Sequence, residues 1–109
     1  MDEHITVMIV DDEPLYIEEI ELIFNFPDNG FRLVCTAING KDALDKFNRY
    51  NPQILITDIQ MPIINGLELC REIRKTNQNT KVLFLTAYDE LDYIRSALRL
   101  AAAKPSYPS

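Results

Sequence analysis

The stretch Ile5-Thr6-Val7-Met8-Ile9-Val10-Asp11-Asp12-Glu13-Pro14 is an almost unbroken apolar run that stops on three acids and a proline. A run with so little polar interruption is how a strand reads when helices cover both faces of its sheet. Ile54 to Thr57, followed by Asp58, and Val82 to Thr86 share the pattern, and Arg32 to Ala37 is a weaker fourth candidate. Between the runs, apolar residues recur at helical spacing: Tyr16, Ile20, Ile23, Phe24; Ala43, Leu44, Phe47, Tyr50; Ile63, Leu67, Cys70; Leu91, Ile94, Leu98. Pro14 marks a helix start, Asp28-Asn29-Gly30 and Asn39-Gly40 read as turns, and Asn51-Pro52 closes the second helix. Alternating strands and helices with right-handed crossovers predict an α/β fold, a doubly wound parallel sheet with helices on both faces.

At 109 residues, 47% hydrophobic and 26% charged, the chain has the length and composition of one soluble globular domain. A net charge of −6 disfavours nucleic acid contact by this domain and suits cationic partners or simple solubility. Cys35 and Cys70 lie in apolar segments without CxxC spacing, so they read as small core residues of a reduced, cytoplasmic protein. The acidic start MDEHITVMIV lacks the basic region of a secretory signal, and no apolar run reaches membrane-spanning length.

In a doubly wound sheet, ligands bind beyond the carboxyl ends of the strands, where strand order reverses. Asp11, Asp12, Asp58 and Thr86 fall at such ends. With the flavodoxin-like order 2-1-3-4-5 the first and third strands are neighbours, so the acids converge although 46 positions separate Asp12 from Asp58. Two carboxylates 4 Å apart repel by about 4 kcal/mol at an effective dielectric near 20, so a fold that gathers them needs a cation. Mg²⁺ suits such a site, since it takes oxygen ligands in an octahedron and accepts one or two carboxylates plus a phosphate oxygen. Each acid also has a plainer reading: Asp12 as a helix cap and Asp58 as a turn residue. Three acids exceed what one cap needs. Thr86 alone is a β-branched strand end, His4 a solvated side chain, and Tyr88 a surface or rim residue placed to tune water access.

The pair Asp11-Asp12, the segment Asp58-Ile59-Gln60-Met61-Pro62 with Asn65-Gly66, Thr86-Ala87 and Lys104-Pro105 occur in the order found in one family. From about Val7 to Leu100 the chain resembles the receiver domains of bacterial two-component response regulators. Its stretch Thr86-Ala87-Tyr88-Asp89-Glu90 looks most like receivers joined to AraC-type helix-turn-helix output domains. The resemblance implies a phosphoacceptor that takes a phosphoryl group from a histidine kinase onto Asp58 and switches an output module, not an enzyme in its own right. Asp12 and Asp58 would be direct Mg²⁺ ligands, the backbone carbonyl of Gln60 would complete the protein set, and Asp11 would act through bound water. Lys104 would supply an ammonium and Thr86 a hydroxyl to the phosphoryl oxygens. Slow self-hydrolysis of the acyl phosphate is expected, and the DNA-binding output domain lies outside this chain.

One departure stands out. Receivers usually continue from the fourth helix into Gly-Ala, a short fifth strand with an aromatic, and Lys-Pro; here only Ala101-Ala102-Ala103 separates Leu100 from Lys104. The segment is about four residues short, which is roughly 13 Å of strand. The usual aromatic position falls on Ala101, and Pro105 and Pro108 rule out a regular helix after it. The expected domain is therefore residues 1–104, with the fifth strand shortened or missing, no fifth helix, and 105–109 an irregular tail. A shortened last strand leaves the fourth strand's edge open, which predicts a homodimer or an exchanged element. Two other functions compete: an interaction module that keeps the fold without phosphorylation, and an enzyme on the same architecture. The Asp11-Asp12-Glu13-Pro14 loop would repel the phosphate of a flavin, and the DxD signature of aspartate-based phosphatases is not seen.

Overall fold

The computed structural model describes residues 4–85. Four strands form one parallel sheet: β1 (Ile5–Val10), β2 (Phe31–Ala37), β3 (Ile54–Asp58) and β4 (Lys81–Leu85), in the order β2-β1-β3-β4. Three helices connect them: α1 (Pro14–Ile23), α2 (Gly40–Tyr50) and α3 (Gly66–Arg74). This is the predicted doubly wound order as far as the described residues run.

Period-two alternation along β1 sorts the core into two layers. Val7 and Ile9 pack with Ile17 and Ile20 of α1, Phe31, Ile54 and Ile56 on one face. Met8 and Val10 pack with Ala43 and Phe47 of α2, Leu69 and Ile73 of α3, and Leu55 on the other. Val7, Met8, Ile9 and Val10 are all fully buried, which is why β1 shows no polar alternation in sequence. Its neighbour β2 reads weakly for a different reason. Val7 pairs with Leu33 and Met8 with Cys35, so Val34 is an extra residue in the ladder and the strand's alternation breaks there.

Several boundaries differ from the sequence reading. β2 begins at Phe31 rather than Arg32, β3 runs on to include Asp58, and β4 starts one residue early, at Lys81. Asn39-Gly40 is a helix start rather than a free turn, and Asn65-Gly66 is a second helix start. The Asn39 side chain accepts the Asp42 N–H at 2.8 Å. Asn65 accepts the Glu68 N–H at 2.8 Å while Glu68 accepts the Asn65 N–H at 3.0 Å, a reciprocal cap. Ile63 therefore precedes α3 instead of joining its apolar face, and Leu67 is half exposed. Asn51 ends α2 in the left-handed region at φ 50°, which asparagine tolerates better than most residues, and Pro52 after it cannot continue the helix. Both cysteines are unpaired and half-buried, and the thiol of Cys35 is pushed up by burial. Among the described residues no helix is long and apolar enough to cross a membrane. The fourth helix, the fifth strand, the open edge expected from it and the tail all lie outside the described residues.

Candidate functional site

Adjacent parallel strands carry their last residues to the same edge of the sheet. Val10 of β1 lies opposite Thr57 of β3, so Asp11, Asp12 and Asp58 emerge side by side. The Asp11 N–H continues the ladder to β2 by donating to the Ala37 carbonyl at 3.0 Å, which fixes where the acidic loop departs. One carboxylate oxygen from each of Asp11, Asp12 and Asp58 lies within 4.8 Å of the others. With Glu13 and Tyr16 these acids line an open cavity of about 260 Å³.

The three carboxyls sit in different surroundings. Asp11 is only 5% exposed, and its Oδ1 accepts the Glu13 N–H at 2.9 Å. Burial pushes its pKa up to about 6; the charges of Asp58, Asp12 and Glu13 act in the same direction, against the lowering effect of that hydrogen bond. Asp12 is exposed and does not cap α1, whose N-cap is Glu13 with no side-chain cap bond. Asp58 is half-buried, and its Oδ1 accepts the Gln60 N–H at 3.3 Å. The turn so formed orients the carboxylate.

The loop after Asp58 is held by two close approaches that require glycine. A Cβ on Gly66 would overlap the Asp58 carbonyl oxygen and come within 2.9 Å of the Ile59 Cα. The Gly66 N–H instead donates to the Ile59 carbonyl at 2.7 Å. A Cβ on Gly40 would lie 2.5 Å from both the Cβ and the carbonyl oxygen of Ile64. Between these contacts Ile63 takes φ 72°, a region that β-branched residues rarely adopt, and the Ile64 N–H closes on the Pro62 carbonyl at 2.8 Å. The loop is a three-residue turn of the strained kind, clamped at both sides.

Of the sequence-predicted site residues, Asp11, Asp12 and Asp58 are brought together, and Gln60 lies on the loop directly after Asp58. The described part of β4 ends at Leu85, opposite Asp58. Thr86 and Lys104 lie outside the described residues, as does Tyr88. The sequence reading places Tyr16 only at an apolar helical position and takes Asn65-Gly66 only as part of the family motif. For Gly66 a signal was available, since the chain has only 3 glycines and this one follows Asp58 by a single loop.

The family model described as response regulator receiver domain matches residues 7–104. The chain belongs to that family. Among curated relatives, this receiver is 30% identical over 99 residues to the transcriptional regulatory protein DegU of Brevibacillus brevis, a match that covers 91% of this chain and 42% of DegU. It therefore spans less than half the length of that relative. Among solved structures it resembles the receiver domain of AraT, a response regulator from Geobacillus stearothermophilus, with TM-score 0.71 and 33% identity over 87% of this chain and 74% of that one. The two-component transcriptional regulator AraC from Clostridium phytofermentans gives TM-score 0.72 and 29% identity over 85% and 72% of the respective chains.

Proposed function

We propose that this receiver takes a phosphoryl group from a histidine kinase onto Asp58 with the help of Mg²⁺, and that the modified domain switches a DNA-binding output module elsewhere in a longer, cytoplasmic regulator. The observation that carries the reading is the meeting of three carboxylates, from two strands, within 4.8 Å. Oxygens around an octahedral ion at about 2.1 Å stand roughly 3 to 4 Å apart, so side-chain torsions alone would bring these acids onto one Mg²⁺. The donor set is all oxygen, which suits a hard cation. Asp12 and Asp58 would be direct ligands, the Gln60 carbonyl a third, and Asp11 would hold a bound water. Bound Mg²⁺ supplies charge neutralisation, of the acids first and of the phosphoryl oxygens during transfer.

The residues of the chain do the rest. The Gln60 N–H holds Asp58 Oδ1, which leaves the second oxygen to attack phosphorus. That oxygen forms the new P–O bond as the P–N bond to the donor histidine breaks, and the electron pair leaves with the imidazole. Thr86 and Lys104 are the residues to which the family resemblance assigns the hydroxyl and the ammonium for the other phosphoryl oxygens. Movement of Thr86 toward that phosphoryl would bias the surface over residues 89–100 that an output module reads. Slow hydrolysis of the acyl phosphate resets the domain. Residues 1–104 form the receiver and 105–109 its tail.

Incubation with Mg²⁺ and a small phosphodonor is expected to add one phosphoryl mass to the wild-type chain and none to Asp58→Asn. Equal labelling of Asp58→Asn overturns the assignment.

A further inference from the structure

Among the described residues, five line the cavity at Asp58: four are the carboxylates Asp11, Asp12, Glu13 and Asp58, and the fifth is Tyr16. Tyr16 stands in the first turn of α1, where its N–H bonds the Glu13 carbonyl at 3.0 Å. It is half-buried and packs against the core layer that contains Ile17, Ile20 and Val7. The residue is thus anchored on the core and also lines the cavity. Carboxylate walls hold water tightly. Tyr16 is the one lining residue, among those described, that carries no carboxylate.

We propose that Tyr16 is the water-excluding wall of the phosphoryl site, and that its ring sets how long the acyl phosphate on Asp58 survives. The inference rests on the phosphoacceptor reading and adds to it a residue that controls the lifetime of the signal. In the step it restrains, a water oxygen bonds to phosphorus and the P–O bond to Asp58 breaks. The electron pair returns to the carboxylate, and the proton of the water passes to the released phosphate or to solvent. An anchored ring that narrows the approach lowers the chance of an attacking water being in place.

The test uses the full chain, labelled with a small phosphodonor and Mg²⁺, freed of donor, and followed by intact mass as the phosphoryl group is lost. Tyr16→Ala is expected to shorten the lifetime several-fold, and Tyr16→Phe, which keeps the ring, to recover it. Decay is read per phosphorylated molecule, so reduced stability alone does not move it. If Tyr16→Ala does not fold, Tyr16→Leu carries the test: it keeps an apolar anchor with a shorter wall, and a lifetime shorter than wild type supports the inference. An Ala or Leu variant with a wild-type lifetime overturns it, as does a Phe variant as short-lived as Ala. Failure of the wild-type chain to take up phosphate on Asp58 overturns the phosphoacceptor reading itself, whereas uptake with unchanged decay overturns only the role of Tyr16.

Discussion

Asp11 shows most directly what gathering these acids does to the protein. Its carboxyl is buried, and its pKa is raised from 3.8 to about 6. Because the folded value exceeds the unfolded one, the native state binds this proton more tightly. The stability it contributes is complete below about pH 4 and is lost as pH rises through 6. Metal-free protein is therefore expected to be less stable to urea at pH 7.5 than at pH 5. Asp11→Asn should remove that part of the pH dependence and raise metal-free stability at pH 7.5. Urea titrations in a chelator, comparing the two proteins at both pH values, check this; identical pH dependence in both would contradict it. The convergence of Asp11, Asp12 and Asp58 was legible in the sequence, because the acids follow apolar runs and neighbouring parallel strands end together. It could not rank them by burial, which depends on the Glu13 N–H and on how far the loop dips into the sheet edge.

At the scale of elements, the geometry around Asp58 depends on how the β3–α3 loop is clamped. Gly66 opens α3 while touching the backbone of Asp58 and Ile59. Gly66→Ala must push that backbone aside, and overpacking of this kind costs about 1 to 3 kcal/mol. The variant is expected to unfold at lower urea and, on the proposed function, to take up phosphate on Asp58 more slowly than wild type, since the displaced carbonyl belongs to Asp58 itself. Wild-type stability together with a wild-type labelling rate would show that the contact is relieved elsewhere. The two helix starts at Asn39 and Asn65 were visible in sequence as Asn-Gly pairs, but a pair that caps a helix and a pair that turns a chain share one local chemistry. Ile63 misled the periodicity for a related reason. Its spacing from Leu67 and Cys70 fits a helix, whereas the close packing of Gly66 on Asp58 forces a tight turn before the helix can begin. In β2 the extra residue Val34 broke the alternation that pattern reading depends on.

At the scale of the whole molecule, the two core layers explain why the acids collect at one edge. Helix α1 covers one face of the sheet and α2 and α3 the other, so the strands are held in register. Their carboxyl ends then form the acidic cleft without any dedicated scaffold. The net charge of −6 makes that cleft an attractive site for a divalent cation and a repulsive one for a free phosphate. An ion that binds only the native state must raise the unfolding temperature, in proportion to the logarithm of its concentration above the dissociation constant. The central claim is that Asp11, Asp12 and Asp58 form one cation site. Its most direct test is the thermal midpoint at pH 7.5 with and without Mg²⁺ for wild type, Asp12→Asn and Asp58→Asn. A rise with Mg²⁺ in wild type that is lost or sharply reduced in both variants is the predicted result; no rise in wild type, or an equal rise in all three proteins, would contradict the account.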